Sequence, residues 1–128
     1  MANWQAKKNW LWLIAIIIVM VVIGGIVYWQ KQPGKLDSFA QCLGDKGAQF
    51  YGAFWCTHCQ DQKAMFGRSA KLLPYIECST SDGQNQTETC QQANIEGYPT
   101  WQFADGSREA GLFSLDQLAQ KTGCQLLK

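Results

Sequence analysis

The sequence predicts an α/β domain, a mixed sheet flanked by helices, preceded by one N-terminal transmembrane helix. Three observations predict it. The run Leu11 to Tyr28 (LWLIAIIIVMVVIGGIVY) carries no charged residue over eighteen positions. From residue 36 onward the apolar pattern alternates between helical spacing and short continuous runs bounded by turn residues, as helices packed on a sheet require. Finally, the apolar stretch 48–55 (AQFYGAFW) leads directly into Cys56-Thr57-His58-Cys59, two thiols three positions apart at the point where a strand gives way to a helix.

The first element is the apolar run. As a helix it spans about 27 Å, close to the thickness of a hydrocarbon core. Trp10, Trp12, Tyr28 and Trp29 place amphipathic rings at its two ends, where membrane interfaces favour them. A cleaved signal peptide is the competing account, but the run is longer than a usual signal core and no clean small-x-small site follows. The organisation read from this is a short cytoplasmic N-terminal segment (1–10), a membrane anchor (11–29), a polar tether (30–35, QKQPGK) and a folded domain (36–128). Lys7 and Lys8 before the span and Lys31 and Lys35 after it leave little basic asymmetry, so orientation has to come from the cysteines.

Within the domain, Leu36, Phe39, Ala40 and Leu43 recur at helical spacing before Gly44 and Gly47, which predicts a short helix. The run 48–55 is apolar and aromatic, as a buried central strand is. Residues 60–73 carry strong helix formers and stop before Pro74, and 75–78 follow as a second strand. Residues 79–87 (STSDGQNQT) have turn composition and no periodicity, which predicts a surface loop; helix signals resume over 88–93. Two strands, 100–103 and 110–113, flank Ala104-Asp105-Gly106-Ser107, an Asp-Gly hairpin turn. Ser114 with Gln117 forms a capping box for a last helix that Gly123 ends. Trp101, Phe103, Phe66 and Met65 fall in these apolar patterns and are expected in the core.

Charge excludes some functions. Beyond residue 29 there are nine Lys and Arg against ten Asp and Glu, a near-neutral balance that argues against a nucleic-acid binder. Six cysteines in so small a domain point to an oxidising compartment, and therefore to a domain outside the cytoplasm, on the periplasmic or outer face. Outside the CxxC, Cys42, Cys78, Cys90 and Cys124 admit three pairings. Cys78 ends a strand and Cys90 lies on the next helix, so a bridge between them would clip the polar loop; Cys42 with Cys124 would then tie the first helix to the end of the chain.

The CxxC itself has three readings. A zinc site would need a second ligand pair, which is missing, and His58, the sole histidine, lies inside the motif; no metal is expected. A purely structural bridge there would be a labile staple. A redox pair fits best, because free N–H groups and the positive end of a helix dipole favour the thiolate of Cys56 over its thiol. His58 adds a positive charge or a hydrogen bond beside that sulfur, and Thr57 completes the dipeptide that tunes it.

This arrangement, with FWCTHC followed about forty residues later by GYPT, resembles the thioredoxin fold over residues 36–124. More narrowly, AQFYGAFWCTHCQDQK, PYIEC and GYPTW are similar to the thioredoxin-like domains that accompany bacterial vitamin K epoxide reductase homologues, a group of thiol-disulfide oxidoreductases of exported proteins. Two positions depart from thioredoxin itself: Phe50 stands six residues before Cys56, where thioredoxins carry a buried aspartate, and Thr57-His58 replaces Gly-Pro. The CxHC centre is instead similar to that of exported DsbA-type oxidants. The resemblance implies a cis Tyr98-Pro99 peptide facing the cysteines, with the Tyr98 backbone open to an extended substrate strand. In the roles read for the site, Cys56 is the attacking thiol and Cys59, one turn inward, resolves. Trp55 and Tyr98, with Phe54, form an apolar rim for client chains or a membrane partner.

The leading expectation is a membrane-anchored thiol-disulfide oxidoreductase outside the cytoplasm, acting on client protein thiols in oxidative folding with no bound cofactor. By resemblance its partner is a quinone-linked membrane oxidoreductase, a vitamin K epoxide reductase homologue. The alternatives are a reductase or isomerase fed by a transmembrane electron carrier, as in cytochrome maturation, and a non-catalytic module that binds clients or a partner.

Overall fold

The computed structural model describes residues 2–126; Met1 of the short N-terminal segment and Leu127 and Lys128 of the domain expected over 36–128 lie outside the described residues. The chain divides between Gln32 and Pro33 into two units. The first is one helix, α1 (Ala2–Lys31). Its stretch Lys7–Lys31 is long and apolar enough to cross a membrane, by length and composition, and none of it is buried within the molecule. A helix apolar on all sides has no single face to offer a soluble core, a pattern that a membrane span and a signal sequence share.

The second unit has the element order α2 (Asp37–Asp45), β1 (Gln49–Gly52), α3 (Thr57–Phe66), β2 (Tyr75–Glu77), α4 (Glu88–Gln92), β3 (Thr100–Gln102), β4 (Arg108–Ala110) and α5 (Leu115–Thr122). The four strands form one mixed sheet in the order β2-β1-β3-β4. β1 runs parallel to β2, with Gly52 opposite Glu77, and antiparallel to β3, which pairs antiparallel with β4. This is the α/β fold class the sequence predicts.

Because successive strand residues face opposite sides, β1 connects two cores. Phe50 enters the larger one, with Phe39 and Leu43 of α2, Phe66 of α3, Trp101 of β3 and Leu118 of α5. Its ring stacks on Trp101 at 4.7 Å and meets Tyr75 edge-on at 5.2 Å. Tyr51 enters the smaller one, with Cys78, Cys90 and Ile95. Two disulfides close the domain. Cys42–Cys124 spans 82 residues of sequence and Cys78–Cys90 spans 12. On the chain-entropy model they contribute about 4.5 and about 3 kcal/mol respectively.

Several boundaries move. The helix expected over 60–73 begins at Thr57 and yields at Gly67, with φ +53°, to a 3₁₀ turn over Gly67–Leu72. The strand read over 48–55 stops at Gly52, since residues 53–56 turn to start α3, closed by the Cys56 N–H donating to the Ala53 carbonyl at 3.0 Å. The last strand lies at 108–110 instead of 110–113. Gly111, at φ +115°, swings the chain out of the sheet and donates its N–H to the Pro99 carbonyl at 2.9 Å. Trp101, Phe103 and Phe66 are buried, but Met65 is not a core residue: it is 41% exposed. The inward positions of α3 are Cys59, Gln62 and Phe66, and at helical spacing Met65 falls outside that face.

Candidate active site

Cys56 is the N-cap of α3. Its backbone is extended (φ −78°, ψ 115°) and its sulfur accepts the N–H of Cys59 at 3.2 Å. A residue three positions beyond an N-cap points its free N–H back at the cap side chain, so the two-residue spacer of a CxxC places the second cysteine at N3. The Cys59 thiol also donates to the Cys56 sulfur, 2.7 Å away. Two donors thus converge on one sulfur, together with the positive end of the helix. Both cysteines are free thiols; Cys56 is 7% exposed and Cys59 fully buried. Burial first, and then the hydrogen bond to Cys56, push the Cys59 thiol up to about 12, with the hydrogen bond to the Ala53 backbone, and then Lys63, pulling the other way. Cys59 therefore holds its proton across the neutral range.

Thr57 and His58 occupy the exposed first turn of α3. The His58 Nδ1 stands 3.7 Å from Asp61, with both side chains exposed. Among the described residues no hydrogen bond joins the imidazole to either sulfur.

The Tyr98–Pro99 peptide bond is cis. Pro99 is fully buried, while the Tyr98 hydroxyl accepts from Gln86 Nε2 at 2.7 Å. Trp55 meets the Tyr98 ring edge-on at 5.9 Å and donates its indole N–H to Ser79 Oγ at 2.9 Å. Trp55 and Phe54 are 55% and 47% exposed, a large apolar surface to leave in water. Gly83, at the tip of the 79–87 loop, faces both rings: a Cβ there would lie 3.5 Å from Phe54 and 3.7 Å from Trp55. The Cys78–Cys90 bridge and the Cys78 N–H, which donates to the Gly52 carbonyl at 2.7 Å, fix the base of that loop beside β1. Trp55, Tyr98 and the loop are linked in this way, whereas Cys42–Cys124 joins α2 to the residue after the Gly123 cap of α5.

Four residues of this neighbourhood escaped the sequence reading. Glu77 accepts the N–H groups of Phe54 and Ser79 on one oxygen, at 3.2 and 2.9 Å, and the Tyr75 hydroxyl on the other, at 2.8 Å. Burial and that hydrogen bond raise the Tyr75 hydroxyl well above the ordinary tyrosine value. The Lys63 ammonium sits 3.3 Å from the centre of the Tyr75 ring. Leu112, a further apolar side chain, is 41% exposed between Gly111, bonded to Pro99, and Phe113, bonded to α3. Only the charge pattern hinted at any of them, since Lys63 lies one helical turn beyond Cys59.

The thioredoxin family model matches residues 45–121, which include both cysteines, Pro99 and every strand. The chain is also similar to the thiol-disulfide oxidoreductase LTO1 of Arabidopsis thaliana, 44% identical over 93 residues that make up 70% of this chain and 24% of that protein. It spans about a quarter of that relative's length. The chain belongs to the thioredoxin family.

Proposed function

We propose that the protein is a thiol-disulfide oxidoreductase that passes a disulfide from Cys56–Cys59 to the thiols of client proteins. The observation that carries this reading is the Cys56 sulfur, which accepts from both the N–H and the thiol of Cys59 at the start of a helix. In the oxidised form a client thiolate attacks Cys56, the Cys56–Cys59 bond breaks, and its electron pair leaves on Cys59, which takes up a proton. A second client thiolate then attacks its own mixed disulfide. The client disulfide forms, and Cys56 departs as the thiolate that the converging donors receive. The two electrons given up by the client now reside on the cysteine pair. Trp55, Phe54, Tyr98 and Leu112 offer a client chain its apolar footing, and the backbone at Tyr98 offers it a strand edge.

The name of the Arabidopsis relative supports the reaction class. The two further disulfides support an oxidising compartment; in this reading the domain lies outside the cytoplasm, with 11–29 across the membrane and 30–35 as its tether. Reoxidation then falls to a quinone-linked membrane partner resembling a vitamin K epoxide reductase homologue.

Trapping tests the reading. The Cys59→Ala variant should accumulate mixed disulfides through Cys56, visible as reducible adducts on non-reducing gels. If none form while a Cys56→Ala, Cys59→Ala double variant still binds its partner, the domain is a binding module. A potential for the pair near the roughly −270 mV of thioredoxin would instead reverse the direction of electron flow.

A further inference from the structure

Cys59 presents a chemical problem that the exchange reaction has to solve. When this pair is oxidised by another disulfide, Cys59 must act as a nucleophile, yet it is fully buried and its thiol is pushed up to about 12. The groups around it come from three elements and from the turn before α3, where the Ala53 backbone hydrogen-bonds the Cys59 sulfur and favours its ionised form. α3 contributes Cys56, and Lys63 one turn along the same side of the helix. β2 contributes Tyr75, with Glu77 beyond its hydroxyl. β1 contributes only Gly52. A Cβ at Gly52 would lie 2.8 Å from Tyr75 Cε2 and 3.0 Å from Cys59 Sγ, so the phenol edge and the sulfur close over the same glycine. Lys63, half-buried, rests its ammonium 3.3 Å above the same ring, and the Tyr75 hydroxyl is fastened to Glu77 at 2.8 Å. His58 and Asp61 lie on the exposed face of the helix, paired with each other.

We propose that Lys63 is a positioning residue for the resolving step: seated on Tyr75, its ammonium supplies the positive field in which Cys59 gives up its proton. The inference rests on the exchange reaction proposed above. In that step Cys56 is held in a mixed disulfide with a group R–S. Cys59 loses its proton to solvent, its thiolate attacks the Cys56 sulfur, the Cys56–Cys59 bond forms and the bond from Cys56 to R–S breaks. R–S departs with the electron pair as a thiolate, so the cysteine pair is oxidised and R–S is reduced. No other oxidant takes part. An ammonium acts here because, away from water, a nearby positive charge favours the ionised sulfur, and the face of an aromatic ring holds a cation in place without neutralising it. The Glu77 hydrogen bond keeps the ring from turning away. Lys63 thus has a use that a surface lysine lacks.

The aromatic disulfide reagent DTNB, applied to the full-length reduced protein in detergent, separates the two steps. Attack by Cys56 releases one coloured thiolate, and attack by Cys59 on the resulting adduct releases a second. Lys63→Met, which keeps the aliphatic stem, should slow the second release about tenfold at neutral pH and move its pH profile upward by about one unit, the two being the same change in thiolate fraction. The first release should stay within about twofold. Lys63→Arg should restore the second release. An unchanged second release and pH profile in Lys63→Met would overturn the proposal, as would equal slowing by Met and Arg, which would mark a packing role. Loss of the first release in the unaltered protein, or its persistence in Cys56→Ala, would defeat the exchange reading itself.

Discussion

Two helices of this domain begin the same way and come to different ends. α5 is capped by Ser114, whose hydroxyl accepts the Gln117 N–H at 3.2 Å while the Gln117 side chain returns a bond to the cap N–H at 2.8 Å. α3 is capped by Cys56, whose sulfur accepts the Cys59 N–H, also at 3.2 Å. The cap geometry is shared. What differs is the third residue: Gln117 closes a reciprocal pair in water, whereas Cys59 is buried and turns its own thiol on the cap atom. A structural device becomes a reactive one when both of its ends are sulfur and one is withheld from solvent.

The comparison breaks most visibly at Cys56. Cys56→Ser would give α3 a hydroxyl cap like that of α5, leaving stability within about 1 kcal/mol by chemical denaturation but abolishing disulfide transfer to a reduced model protein. A smaller effect separates the caps by pH. Because the Cys59 thiol is raised from 9.0 to about 12 by folding, the reduced protein should keep its full stability below pH 9 and lose part of it as pH rises toward 12. In the oxidised protein that sulfur does not titrate, so the reduced form should lose more stability above pH 9 than the oxidised form does. Reduced Cys59→Ser should show a weaker alkaline loss, the part that remains including Tyr75, which folding shifts in the same direction. The smallest effect is at the other helix. Ser114→Ala should cost about 1 kcal/mol, and the same amount at pH 7 and pH 10, since no group in that cap titrates there.

The sequence carries the features that a few neighbouring residues determine. The charge-free run of α1, the capping box at Ser114, the Asp-Gly turn and the order of helices and strands are each written within one or two turns of chain, and each is read from that stretch alone. The CxxC is equally local, and so is the N-cap role of its first cysteine. What could not be read is whatever depends on the register of β1 with β2. Glu77 reaches Phe54, and Tyr75 reaches Cys59, because Gly52 pairs opposite Glu77, and nothing in PYIEC states that alignment. Met65 departs from its expected core place for a related reason, since a helix face is assigned only by which side meets the sheet. Gly67 hid its effect because a glycine within a helical pattern is often tolerated.

Gln62 has a bearing on how freely this domain can vary. Completely buried, it donates its amide to the Phe113 carbonyl at 2.9 Å and accepts the Phe113 N–H at 2.8 Å, so one side chain imitates a neighbouring strand. Leucine would leave both backbone groups stranded without water, and glutamate would set an anion against a carbonyl. Of the common side chains long enough to reach, only a carboxamide satisfies both demands, so any redesign of the adjoining apolar lip has to leave this interior peg untouched.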